Sequence, residues 1–297
     1  MRYGWLVYNS SLLTPKFLDY GKWMQRAAEA AGITLDLVLN SEVLVMIDRN
    51  GERKLRFPGH LHRPDFVHYA DKDLHLARHL EATGIPLFNR SRAIEICDNK
   101  ALMHTALAGS AVPVPRTIIA PKVFDGCVQG NDTFIEQIVG ELGLPVIVKE
   151  AYGSFGEQVY KADTEERLRK LITEIGSKEA VFQEMVRSSE GKDVRLNVVG
   201  SQVVAAMKRT SEVDFRANVT AGGTTEPYDP SPEEEALAVL AAKVAGADFA
   251  GVDLLFGEDG PVLCEINSNP HIRSIYECTE VDVAPRMIEY IAEKVYR

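Results

Sequence analysis

The sequence predicts a small α/β unit followed by two further units of strands and helices, and three observations point to it. Over residues 2–89 short apolar runs alternate with helical stretches, the β-α-β order of a small domain. Around Pro113 and Pro115 the chain cannot be helical, because each proline fixes its own φ and pushes the preceding residue into extended backbone. In the last hundred or so residues two apolar strand pairs flank one clearly capped helix, the pattern of an antiparallel lobe. The expected division of the 297 residues is 1–90, 91–186 and 187–297.

In order, the first strands are Trp5-Leu6-Val7-Tyr8, Leu35-Asp36-Leu37-Val38-Leu39 and Ile85-Pro86-Leu87-Phe88, with helices near 15–31 and 71–83. Gly32 and Gly84 fall where each helix must stop, positions that favour a residue tolerant of left-handed backbone. After the proline segment come a strand over 146–149, a glycine-containing loop, a strand over 158–160, a helix near 164–176 and a strand over 180–184. Strands 194–199 and 203–208 form a hairpin about Gly200-Ser201, and a two-residue loop led by glycine predicts a type II′ turn. The helix over 232–245 has Ser231 as N-cap, Pro232 at its first position and Glu234 completing a capping box; Gly246 ends it. A second hairpin joins 251–256 to 261–267 through the turn 257–260.

Charged residues at 26% and hydrophobic ones at 45% exclude a disordered or collagenous chain and describe an ordinary folded protein. Thirty-three lysines and arginines against 43 aspartates and glutamates leave a net charge of −10, so no broad basic surface for nucleic acid or anionic lipid is expected. Cys97, Cys127, Cys264 and Cys278 form no CxxC pair, which argues against a zinc knuckle and a disulfide framework and for a reducing compartment. No apolar run reaches membrane-spanning length and the N-terminus reads as a strand, so a cytoplasmic protein is expected. A homo-oligomer is compatible with this composition.

The residues that carry chemistry gather in the second hairpin. Glu265 and Asn267 are two apart and share a face, with Cys264 and Ile266 on the other, and a turn near Asp259 brings Asp253 opposite Glu265 within a residue of register. Oxygen donors alone, two of them anionic, suit magnesium or manganese rather than zinc. The plainer alternative is a solvated polar sheet face. Lys149 ends an apolar strand before Glu150-Ala151-Tyr152-Gly153-Ser154-Phe155-Gly156, where the two glycines, Gly153 and Gly156, can bring backbone N–H groups to a phosphate, with Gly153 and Ser154 the expected contacts; most such loops are plain connections. In the first hairpin, pairing about Gly200-Ser201 sets Asp193 opposite Lys208, either a simple cross-strand ion pair or part of a site, with Arg195 on the face of Asp193. Arg216 and Asn218 share the same spacing of two.

Together these segments resemble the ATP-grasp superfamily and, within it, the RimK-like (alpha-L-glutamate ligase-like) amino-acid ligases. The resemblance is carried by Cys97-Asp98-Asn99-Lys100, Val148-Lys149, Gln183-Glu184-Met185, Gly191-Lys192-Asp193-Val194-Arg195, residues 203–209, Asp214-Phe215-Arg216-Ala217-Asn218, and Gly251-Val252-Asp253 through Glu265-Ile266-Asn267-Ser268-Asn269-Pro270. It implies an ATP-grasp fold behind an N-terminal Rossmann-like domain, with ATP held between two α+β lobes. By the same resemblance Lys100 and Lys149 meet the phosphates, Glu184 and Met185 the adenine, and Asp193 the ribose. Arg216 and Asn218 face the phosphates and the reacting carboxylate, and Asp253, Glu265 and Asn267 hold two magnesium (or manganese) ions. The implied reaction joins a small-molecule or peptide carboxylate to an amino-acid amine through an acyl phosphate, with glutamate as one candidate amino acid.

Two departures from the pattern stand out: His271-Ile272-Arg273 follows the Asn-x-x-Pro turn where a glycine is common, and Lys208 stands where glutamate is frequent. Lys208, Arg209, Arg216 and Arg273 then form a local basic surface, with Lys208, Arg209 and Arg273 expected to bind an acidic substrate. His271 is either a catalytic base or a packing or substrate-lining residue. A ligase for another amino acid and a nucleotide-binding scaffold without turnover remain as alternatives. His75 and His79, four apart on a helix, read as an exposed face rather than a metal site.

Overall fold

The computed structural model describes residues 2–127, 131–153, 156–217 and 222–296. The first part runs β1 (Arg2–Tyr8), α1 (Pro15–Ala30), β2 (Ile33–Leu39), β3 (Leu44–Ile47), β4 (Arg53–Arg56), β5 (Phe66–Tyr69), α2 (Leu74–Ala82) and β6 (Leu87–Phe88). Four of these strands make a parallel sheet in the order β2-β1-β5-β6, and β3 pairs with β4 as a separate hairpin. Trp5, Leu6 and Val7 are all buried, as expected of a parallel strand covered on both faces. Gly4 is required beside them, since a Cβ there would lie 2.3 Å from the Phe66 ring.

Next come α3 (Ser91–Asp98), α4 (Lys100–Leu107), β7 (Thr117–Ile119), α5 (Asp132–Leu142), β8 (Val146–Glu150), β9 (Val159–Ala162), α6 (Glu165–Ile175) and β10 (Ala180–Glu184). The sheet β7-β10-β8-β9 is antiparallel and packs Val146, Val148 and Phe182 against Ile135, Ile138, Leu168 and Ile172 of α5 and α6.

The last part comprises β11 (Lys192–Val199), β12 (Gln202–Thr210), β13 (Thr224–Pro227), α7 (Pro232–Ala245), β14 (Phe249–Gly257), β15 (Gly260–Asn267), α8 (Ile272–Thr279) and α9 (Ala284–Tyr296). Its antiparallel sheet runs β13-β12-β11-β14-β15. Helix α7 starts on the expected capping box, Ser231 N–H donating to Glu234 at 2.8 Å and Glu234 N–H to Ser231 at 3.2 Å, and stops at Gly246 with φ 73°. Gly200 takes φ 61° and Ser201 does not turn positive, in keeping with a type II′ turn.

Two bulges set the registers that matter. Val198 pairs with Val203 but Asn197 with Ala205, so Val204 is an extra residue and Asp193 falls opposite Arg209 rather than Lys208. This corrects the simple hairpin count. Likewise Leu254 pairs with Leu263 and Asp253 with Glu265, leaving Cys264 as the extra residue and completing the Asp253–Glu265 alignment.

The five-stranded sheet is covered on both faces. On one, α7 and the apolar residues of α3 and α4 pack on Val194, Leu196, Val252 and Leu263. On the other, Val199, Met207 and Phe249 share one core with α8, α9 and the first part's Leu6, Trp23, Met24, Phe66 and Phe88. Buried Asn89 fastens this junction: its amide donates to the Phe249 and Ser268 carbonyls at 2.8 and 2.6 Å, and its carbonyl accepts from Asp248 and Phe249 N–H at 2.6 and 3.0 Å.

Candidate active site

A cleft of about 530 Å³ is lined by residues of all three parts. Its floor is the alternating face of the five-stranded sheet: Asp193 and Arg195 from β11, Met207 and Arg209 from β12, Asp253 from β14, Glu265 and Asn267 from β15. Cys264, expected on the opposite face, also lines the cleft, because the bulge breaks the alternation at that residue.

A buried ion network occupies the floor. Arg209 forks onto Asp193 at 2.6 and 2.7 Å and reaches Asp253 at 3.0 Å, while Arg195 forks onto both Asp253 oxygens at 2.7 Å. Burial pushes the Asp253 carboxyl up, but Arg195 and Arg209 outweigh it and hold it below the usual range. At Asp193 burial wins over Arg209 and raises the pKa.

Two buried lysines face this floor. Lys100, first residue of α4, puts its ammonium 3.4 Å from the Gly153 carbonyl and 4.0 Å from Glu265; Lys149, near the end of β8, sits 3.8 Å from the Cys264 sulfur. One helical turn beyond Lys100, His104 accepts a 3.0 Å hydrogen bond at Nε2 from Gln183. Burial, with Lys149 and Lys100 nearby, depresses its pKa to about 4, so the imidazole stays neutral. Gly153 has φ 146°, and a Cβ there would lie 2.3 Å from Gln158 Oε1, so close packing of Gln158 already explains this glycine.

At one end of the cleft, Glu184 and Met185 follow one another where β10 leaves its sheet, the Glu184 carboxylate bonded to the Arg116 N–H at 2.9 Å and to its guanidinium at 2.6 Å. Arg216 is gripped by Asp214 and donates to the Gly156 carbonyl at 2.5 Å, which joins the last part to the glycine loop. At the other end the wall is Leu12, Lys16, Phe17, Ala70 and Asp71 of the first part facing Asn269 and His271. His271 stands at the N-cap position of α8 without a side-chain cap bond and meets the Phe17 ring at 5.3 Å; burial, Lys16 and Arg195 push its pKa down to about 4.

Of the three residues expected to bind an acidic substrate, the structure brings only Arg209 to the cleft, 4% exposed and already shared by two carboxylates. Lys208 is turned away by the Val204 bulge and pairs with Glu226 of β13 at 2.8 Å. Arg273 lies on the side of α8 that faces α1, bonded to Asp19 and stacked 4.5 Å over Trp23. Ser154 and Asn218 lie outside the described residues. His79 Nδ1 is bonded to the His75 carbonyl, and among the described residues no group of three or more histidine, cysteine, aspartate or glutamate side chains is arranged to hold a metal.

The model of the RimK-like ATP-grasp domain matches residues 97–291. The chain belongs to the RimK-like ATP-grasp family. An uncharacterised Mycoplasma pneumoniae protein, the MG012 homologue, is 32% identical over 96% of this chain and 98% of its own. A probable alpha-L-glutamate ligase of Legionella pneumophila is 36% identical over 73% of this chain and 70% of its own. The ATP-grasp ligase PsnB, solved with a minimal precursor, Mg and ADP, has the same fold, with a TM-score of 0.71 at 18% identity over 99% and 98% of the two chains. As a RimK-like ATP-grasp enzyme the protein is an ADP-forming amino-acid ligase.

Within this ATP-grasp cleft the donor set suits a hard divalent cation. Glu265, Asn267 and Asp253 offer oxygen atoms on two neighbouring strands, aligned by the Cys264 bulge. Glu265 and Asn267 have no arginine on them among the described residues, whereas Asp253 has two. Sequence reasoning undervalued Arg195 and Cys264. The spacing of two from Asp193 signalled the first; nothing in the sequence signalled the bulge that exposes the second.

Proposed function

We propose that the protein activates a substrate carboxylate with ATP as an acyl phosphate and transfers the acyl group to an amine of an amino acid or peptide. The observation that carries this reading is the convergence of Lys100, Lys149, Arg216, Glu265 and Asn267 on one cleft in a chain of this family. Lys100 and Lys149 supply point charges to the phosphates, and Glu184 and Met185 bound the adenine end. Asp253, Glu265 and Asn267 hold magnesium, two ions in our reading, which neutralises charge on the transferring phosphoryl group.

A carboxylate oxygen attacks the γ-phosphorus and ADP leaves; the amine nitrogen then attacks the acyl carbon, phosphate leaves and the nitrogen loses a proton. No covalent enzyme nucleophile is needed. What the chain supplies is in-line placement and fixed positive charge, from the two buried lysines and an Arg216 already held by Asp214.

Glutamate is the amino acid in the name of the Legionella relative, and we carry it over as one candidate. A second reading, another amino acid, is favoured by a specific observation. Lys208 and Arg273 are off the cleft, Arg209 is compensated, and the wall of the first part sets the apolar Leu12, Phe17 and Ala70 beside one lysine, Lys16, and one aspartate, Asp71. The test is a phosphate-release screen of carboxylates crossed with amines, with product mass identifying the bond formed. ATP binding without phosphate release for any pair would instead indicate a scaffold.

A further inference from the structure

Asp253 is the most heavily engaged carboxylate of the cleft. Both oxygens accept from the Arg195 fork at 2.7 Å, and one also lies 3.0 Å from Arg209. The two arginines differ in what holds them. Arg209 is almost fully buried and forked onto Asp193 as well, so it is fixed. Arg195 has Asp253 as its one carboxylate partner among the described residues, keeps 18% of its side chain exposed and lines the cleft.

A buried carboxylate needs a cation, and leaving it without one is strongly unfavourable. Resting on the metal assignment of the preceding section, we propose that Arg195 is a stand-in cation for Asp253, displaced when a divalent ion takes the carboxylate and thereby presented to the substrate end of the cleft. Both cations compete for the same two oxygens, and a divalent ion beside the fork repels the guanidinium. Arg195 itself lines the cleft, which is the space a displaced guanidinium would enter. Once freed, a planar fork with parallel donors suits a carboxylate better than an ammonium does. Metal loading would thus switch on recognition of the acidic group to be activated, and the coupling must be reciprocal.

The experiment uses the full chain, ADP and Mn2+ titrated by electron paramagnetic resonance, with melting curves to establish that each variant folds. Arg195→Met should bind Mn2+ more tightly than wild type by at least about 5-fold, the low end of ordinary site-to-site coupling. Arg195→Lys, which keeps the charge without the fork, should fall between. Phenylglyoxal labelling of Arg195, read by peptide mass, should rise on adding Mn2+ to wild type and stay constant in Glu265→Ala. Unchanged or weaker Mn2+ binding by Arg195→Met, an Arg195→Lys protein equal to wild type, or labelling indifferent to Mn2+ would each overturn the stand-in. If Glu265→Ala loses Mn2+ while Arg195→Met is unaltered, the metal site stands and the stand-in falls. Failure of wild type to bind Mn2+ overturns both.

Discussion

Arg209 and Asp193 face each other on adjacent strands, joined by two hydrogen bonds of 2.6 and 2.7 Å, because one extra residue in β12 shifts the hairpin register. Without that residue Lys208 would face Asp193 and Arg209 would turn to the far side of the sheet. Arg209→Leu should therefore destabilise the fold by about 3–5 kcal/mol, the usual cost of stripping one partner from a buried pair. Urea unfolding measures it. A loss under about 1 kcal/mol, typical of an exposed pair, would contradict the burial of this network.

Much of the fold was legible because its signals are local. The capping box at Ser231, the glycine-led turn at Gly200 and the β-α-β rhythm of the first part depend on neighbours in sequence. The alignment of Asp253 with Glu265 was legible to within one residue. What escaped depends on tertiary context. A bulge costs one residue and leaves no composition mark, yet it moved Lys208 off the cleft and Cys264 onto it. Arg273 looked available until α1 supplied Asp19 and Trp23.

Glu265→Ala should abolish turnover, with ADP formation falling by about 100-fold or more, since several kcal/mol of transition-state charge stabilisation depend on such a ligand. The side chain is partly exposed and its described ion-pair partner is 4.0 Å away, so the melting temperature should hardly move. Retained ADP formation in the folded variant would refute the metal assignment.

Lys149→Ala should weaken ATP more than adenosine. Calorimetry with both ligands separates the phosphate contribution from the base, and the expected extra loss for ATP is about 1.5–3 kcal/mol, as for a hydrogen bond to a charged group. Equal losses would place Lys149 away from the phosphates.

Acid should destabilise the protein through its buried histidines. His68 donates from Nδ1 to the Phe88 carbonyl at 3.2 Å and accepts at Nε2 from Tyr20 at 2.6 Å, and burial lowers its pKa from 6.5 to about 4. Between those values the unfolded chain binds the proton and the folded one does not. Stability is therefore fully present above pH 6.5 and is lost as pH falls toward 4, by about 2 kcal/mol for His68 on going from pH 7 to 5. Denaturant curves at several pH values should show this slope, and His68→Gln, though less stable at pH 7, should flatten it.

Arg273→Ala should leave the KM for both organic substrates and for ATP unchanged while lowering the melting temperature slightly, because its contacts are Asp19, Trp23 and Glu277 outside the cleft. A rise in KM for one substrate would restore it to the binding surface.

The core that Phe249, Ile272 and Met287 share with Leu6, Trp23 and Phe88 limits how this chain can be divided. The matched segment 97–291 looks portable as a sequence, yet cutting it free would strip the β1 and α1 side chains from one face of its main sheet and from α8 and α9. A large apolar patch laid open in this way favours association with other chains. An excised catalytic segment is thus expected to precipitate, and domain-swapping attempts with other ligases would need to carry the first ninety residues along.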